Sequence, residues 1–303
     1  MTTTAYSSPS FKSQLSAASN RPILTSLNGD NSWLISFPVP ANLRKNEPGS
    51  KAFYHVVSDA WLQGDTGFGW GLVCIEMPGK PKIRDGAGVG AVVREIESAV
   101  GDGTGAGVDA IFVNFHYDDH MHEGTLRTFD ASIPVFATPQ AAGTIHAWNH
   151  FSTVVTTKDF GVSATNEPWR AYHPGAPLPD WLSVFRIPGH SVLNFATAMV
   201  WSPTSEQHEA ILYSPHGIRP SQPPLRALID LISNPSTNFS ILAILHGLKT
   251  SYAFGIQTTL GVENGIALTR HKPALLDQYA QHGVEVLGAG HVDGAREGLF
   301  LHS

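Results

Sequence analysis

The sequence predicts an α+β protein built from sheets covered by helices rather than a doubly wound parallel sheet. Three observations carry this. Short apolar, β-branched and aromatic runs cluster with few helical patterns between them, the second half of the chain repeats the arrangement of the first, and the helical segments that do occur keep a single apolar face. At 303 residues, 42% hydrophobic and 15% charged, the chain can bury a large core, and it divides into a tail over 1–20 and one domain over 21–303.

The elements follow in order. Pro22 to Leu27 and Ser32 to Phe37 flank Asn28-Gly29-Asp30-Asn31, the signature of a hairpin. Phe53 to Ser58 reads as a strand that ends at the acidic Asp59, and the four glycines between Gly64 and Gly71 read as a loop bordering a pocket. Val89, Val92, Val93, Ile96 and Val100 recur at helical spacing. A strand at Ile111 follows, then a short helix over Thr125 to Phe129, a strand over Ile133 to Phe136 and a helix over Pro139 to Trp148. Asn166 to Pro179, with four prolines, reads as a loop. The second half offers strands at Leu182 to Ile187, Phe195 to Trp201, Ala210 to Tyr213, Phe239 to Leu245 and Val284 to Leu287, with helices at Leu225 to Ile232 and Pro273 to His282.

Composition removes several function classes. A net charge of −6 with no Lys/Arg-rich run argues against a nucleic-acid partner. The single cysteine, Cys74, excludes an intrachain disulfide and a cysteine-based zinc site, and its apolar neighbours make it a packed residue. Met1 to Asn20 shows neither a leader pattern nor a membrane-length apolar stretch, so a cytoplasmic protein with no membrane partner is expected.

The chemistry concentrates in Asn114-Phe115-His116-Tyr117-Asp118-Asp119-His120-Met121-His122, directly after the apolar run 109–113. Imidazole and carboxylate side chains at the end of a packed strand suit a divalent metal. His116, Asp118 and His122 equally suit a solvated hydrogen-bonding loop. Four more histidines, His190, His216, His246 and His291, fall at the ends of apolar runs. One such histidine is more often a satisfied core residue; the recurrence points to a shared pocket.

These segments resemble the metallo-β-lactamase superfamily, and among its members a set of fungal proteins of largely unassigned function. The resemblance spans about Ile23 to His291 and rests on Leu27-Asn28-Gly29-Asp30-Asn31-Ser32-Trp33, Ser58-Asp59-Ala60-Trp61-Leu62, Asp118 to His122, Tyr213 to Ile218, Leu245 to Leu248 and Gly290-His291. It implies an αββα four-layer sandwich with the site at one edge. The family's His-x-His-x-Asp-His motif is degenerate here, its positions falling on Phe115, Tyr117, Asp119 and His120. One metal position would keep only His190; the other would keep Asp119, His120 and His291, with His216 as a further ligand. One divalent metal is therefore implied, zinc first and Fe or Mn as alternatives. Asp59 matches the carboxylate that orients ligands, with His122 and His116 beside the set; on a strand-like path His116 would point away from Phe115 and Tyr117.

The implied reaction is hydrolysis of an ester, thioester or lactone, with a role in secondary metabolism on a polyketide-like substrate. Asp119 would act as ligand and base, and Tyr117 would donate a hydrogen bond to a developing oxyanion. A metal-free alternative keeps the pocket, made more apolar by Phe115 and Tyr117, and uses His120, His190, His216, His246 and His291 for acid–base work as in a lyase, isomerase or decarboxylase. A third is a binding protein on the same scaffold. Trp61, Trp70, Trp169 and Trp181 suggest an aromatic or apolar small molecule, and the resemblance also allows a homodimer.

Overall fold

The computed structural model describes residues 20–44, 50–68, 73–77, 81–101, 105–161, 169–247, 250–253, 256–270, 286–287 and 298–300. They fall into two compact units, the first ending at Thr156 and taking in the short strand Val286–Leu287, the second beginning at Thr157 and taking in Gly298–Phe300. The tail before Asn20, the helix expected over Pro273 to His282, Trp70 and His291 lie outside the described residues.

In the first unit, β1 (Ile23–Ser26) and β2 (Trp33–Pro38) pair antiparallel across the Asn28-Gly29 turn, and β3 (Phe53–Ser58) pairs antiparallel with β2. A two-stranded hairpin follows, β4 (Thr66–Phe68) with β5 (Val73–Ile75), where the sequence suggests an open glycine loop. Cys74 is exposed on this hairpin, not packed, and its side lines an open cavity rather than the core. Helix α1 (Gly86–Val100) starts at Asp85, whose side chain accepts a hydrogen bond from Gly88 N, and buries Val89, Val92, Val93 and Ile96, the positions that the spacing selects.

Strand β6 (Ala110–Val113) is buried at every residue and pairs parallel with β3. After it come α2 (Glu123–Leu126), β7 (Val135–Ala137), α3 (Pro139–Ala147) and β8 (Val154–Thr156). β7 and β8 continue the parallel side, and Val286–Leu287 closes the other end of a seven-stranded sheet beside β1. A strand with parallel neighbours and apolar side chains on both faces ends where its polar residues begin, so β6 delivers the 114–122 segment at its carboxyl end.

The second unit holds a five-stranded sheet: β9 (Leu182–Pro188), β10 (Phe195–Trp201), β11 (His208–Ser214), β12 (Phe239–Gly247) and Gly298–Phe300. β9, β10 and β11 run as an antiparallel meander, whereas β12 joins β11 in parallel after helix α4 (Pro223–Ser233). β13 (Thr250–Ala253), β14 (Ile256–Leu260) and α5 (Gly261–Arg270) complete the described residues, all three without a counterpart in the sequence expectations. Two glycines in α5 and mixed polarity in the hairpin hide their period. Within the proline-rich stretch 166–179, Trp169–Tyr172 forms a 3-10 turn. Among the described residues no helix is long and apolar enough to cross a membrane.

One polar group interrupts the apolar face of α1. Glu97, 3% exposed, accepts hydrogen bonds from Ala52 N and Phe53 N at 2.9 Å each and lies 3.0 Å from His55 Nε2, while His55 Nδ1 lies 2.9 Å from Ser36 Oγ. This chain of contacts bolts the helix to the start of β3. Burial pushes the Glu97 carboxyl upward, but the hydrogen bonds from His55 and the two amides outweigh it and hold the group below its usual range. We expect Glu97→Ala, which strands these donors, to cost about 3–5 kcal/mol in urea unfolding; a loss under about 1 kcal/mol would contradict the account. Because the folded pKa is lowered, the pH-linked part of this contribution is complete above pH about 4.3 and is lost as pH falls through the depressed value, so the gap between wild type and variant narrows in acid.

Candidate metal centre

The site in the first unit begins where β3 ends. Asp59 follows Ser58 with a φ of 50°, in the left-handed region that an aspartate tolerates better than most residues. Its backbone is clamped by Asp59 N donating to Phe112 O at 2.9 Å and by Ser32 Oγ donating to its carbonyl at 2.5 Å. The turn in the chain drives the carboxylate inward, where it is fully buried. Oδ1 accepts from Asn114 N at 2.7 Å and Asn114 Nδ2 at 3.0 Å, and Oδ2 lies 2.8 Å from His120 Nδ1. Ser58 Oγ accepts the same Asn114 amide at 2.9 Å, so the ends of β3 and β6 are tied together beneath the histidine.

His120 reaches this carboxylate because the chain turns back on itself: His120 N and Met121 N both donate to Tyr117 O, at 2.9 and 2.8 Å. Asp119 is held from the β1–β2 turn, where Asn31 Nδ2 donates to its carbonyl at 2.8 Å. Its carboxylate oxygen Oδ2 lies 3.5 Å from His120 Nε2, and its Oδ1 is buried with no hydrogen-bond partner among the described residues. Burial pulls the His120 pKa down, yet the carboxylates of Asp119 and Asp59 outweigh it and raise the pKa to about 9.

Around this core the sequence expectations meet mixed outcomes. Residues 116–120 form bends and turns rather than an extended strand, so the alternation expected for His116 does not apply. Its ring instead lies 4.6 Å from Phe115 and 4.8 Å from Tyr117, and Phe115 sets its edge against His120 at 5.4 Å. Phe115, His116 and Tyr117 together form an aromatic wall beside His120. His122 caps α2: its Nδ1 accepts from Thr125 N at 3.0 Å, and burial lowers its pKa. With one ring nitrogen committed to the helix, it lines an open cavity of about 620 Å³ with Asp118, Met121, Trp148 and the β4–β5 hairpin. Asn31 and Asn114, which hold Asp119 and Asp59, are not singled out by the sequence; their only signal is their place in the turn and at the head of the histidine-rich run.

The second unit carries the other described candidate histidines of the sequence pattern. His190 is exposed in the β9–β10 loop, its pKa lowered by partial burial and by Arg219. His216 follows β11 with Nδ1 3.0 Å from Leu193 O. His246 lies inside β12 rather than beyond it, 2.6 Å from Gly247 O through Nδ1 and 2.9 Å from the Asn264 side chain through Nε2. Burial lowers its pKa, although the contacts with Asn264 and Gly247 act the other way.

The donor set in the first unit fits one end of a divalent-cation site. Asp119 Oδ1, buried and lacking a hydrogen bond, is an acceptor that a cation would satisfy, and an imidazole backed by a buried carboxylate on its far nitrogen is the usual arrangement of a ligating histidine.

No protein-family model matches the chain, and no curated protein matches it. Among solved structures, isothiocyanate hydrolase from Delia radicum gut bacteria is 11% identical, with 82% of this chain and 80% of that one covered and a TM-score of 0.46. A possible metal-dependent hydrolase from Veillonella parvula is 12% identical, covering 83% of this chain and 80% of that one, with a TM-score of 0.42. With both scores below 0.5, neither likeness bears on the function argued below.

In the metal-free protein the His120 ring should hold its proton at neutral pH and release it near 9 in a histidine NMR titration, with Asp59→Asn moving that pKa toward the ordinary value of about 6.5. A wild-type ring already titrating near 6.5 would show that the carboxylates do not outweigh its burial.

Proposed function

We propose that the chain is a single-metal hydrolase of an ester, thioester or lactone, on the αββα arrangement that the resemblance implies. The observation that carries this is the Asp59–His120–Asp119 array: a buried carboxylate fixes one imidazole nitrogen, and Asp119 sets Oδ2 3.5 Å from the other while its Oδ1 is buried without a hydrogen bond among the described residues. Asp119 and His120 are the first ligands; His291 and His216 are proposed as the remainder from the sequence resemblance, which leaves His190 to the other position. Zinc is the first expectation for an imidazole and carboxylate set, with Fe or Mn next.

A divalent ion held there supplies Lewis acidity toward an acyl carbonyl and a nucleophilic water at neutral pH. The chain's own residues do the rest. Asp59 holds His120 in place, Asp119 serves as ligand and base, and Tyr117, its ring tilted against Phe115 at 4.6 Å, offers a phenol to a developing oxyanion. The rings of Phe115, His116 and Tyr117 favour an apolar or aromatic acyl group, which supports a polyketide-like substrate. His246 is the proposed acid–base residue of the metal-free alternative.

The test is elemental analysis of protein purified without a histidine tag, with esterase, thioesterase and lactonase activity measured before and after chelation. About one metal per chain, with activity lost on removal and absent in His120→Ala, is the expected result. Activity that survives chelation and the His120→Ala substitution overturns the hydrolase reading.

A further inference from the structure

We propose that Asn194 is a positioning residue that fixes the direction and the tautomer of His216. The proposal rests on the metal-hydrolase reading, and all of its geometry lies within the second unit. Asn194 is 1% exposed, at the end of the loop between β9 and β10. Its side-chain amide faces three carbonyls: His216 O at 3.2 Å, Gly217 O at 3.2 Å and Thr258 O at 3.3 Å. Its Oδ1 accepts from Ser191 Oγ at 2.7 Å, which closes the loop on itself. One buried amide thus joins the His190-bearing loop, the segment after β11 and strand β14.

The consequence falls on His216. Gripping the carbonyls of His216 and of the following Gly217 brings the carbonyl of Leu193, the neighbour of Asn194, to 3.0 Å from His216 Nδ1. A carbonyl only accepts, so Nδ1 carries the hydrogen, and in the neutral ring the lone pair resides on Nε2. That is the form in which an imidazole ligates through Nε2 while its other nitrogen is anchored. From the opposite side Leu260 N donates to His216 O at 2.9 Å. Two glycines make this packing possible. A Cβ on Gly189 would run into the Asn194 carbonyl, and Gly217, at a φ of 81°, would place one 2.7 Å from Leu260 Cβ.

The experiment titrates zinc into the metal-free full-length wild type, Asn194→Ala and Ser191→Ala, and reads the His216 tautomer from ring nitrogen shifts at a pH where the ring is neutral. We expect Asn194→Ala to stay folded, bind zinc about 10–100-fold more weakly and lose the pure Nδ1–H form of His216. Ser191→Ala, which removes an exposed hydroxyl and leaves the core intact, should show the same changes in smaller degree, and decides the matter if Asn194→Ala does not fold. Unchanged zinc affinity with an unchanged tautomer in the variants overturns the proposal and leaves the hydrolase reading standing. If the wild type takes up no zinc, the hydrolase reading falls, and the tautomer alone decides: retention of the Nδ1–H form in the variants overturns the positioning role, its loss upholds it.

Discussion

The buried Asp59 carboxylate is the constraint on which the first unit's site depends. A carboxylate without solvent is costly unless its lone pairs are filled, and here an amide nitrogen, an Asn114 side chain and the His120 ring fill them. Those contacts require the ends of β3 and β6 to stay in register, which the parallel pairing of the two strands provides. They also require the main chain at Asp59 to turn into the left-handed region, which the hydrogen bonds to Phe112 and from Ser32 enforce. Sheet, turn and site are therefore one mechanical object: loosening the strand ends would release the histidine.

The aromatic wall makes sense beside this anchor. Phe115 is buried and packs against the His120 ring, so it supplies rigidity on that side. An apolar wall strengthens the electrostatics of the donors beside it. The raised pKa of His120 expresses the same surplus of negative charge, which a proton relieves when no cation is present.

Much of this could be read from the residues, and the limits have physical causes. β10 runs over Phe195–Trp201, the span its continuous apolar run marks, and α1 buries the valines and isoleucine that its spacing selects. The polar cluster at the end of β6 was legible as the place where a buried apolar run stops, which is where the structure puts Asp119 and His120. His122 was ambiguous: a cap and a ligand use the same imidazole, and only the contact to Thr125 separates them. Asn31, Asn114 and Asn194 were not legible, since an amide that holds a distant backbone looks in sequence like any turn asparagine. The β4–β5 and β13–β14 hairpins escaped for a related reason: strands of three to five residues with mixed polarity carry too few positions to show a period.

The account depends most directly on Asp119 and His120 sharing one cation through Oδ1 or Oδ2 and Nε2. Anomalous diffraction from crystals grown with zinc tests it without reference to substrate. It predicts a single strong peak about 2.0–2.2 Å from an Asp119 carboxylate oxygen and from His120 Nε2, with Asp59 still on His120 Nδ1. Zinc bound elsewhere in the chain, with no peak between these two side chains, would contradict it.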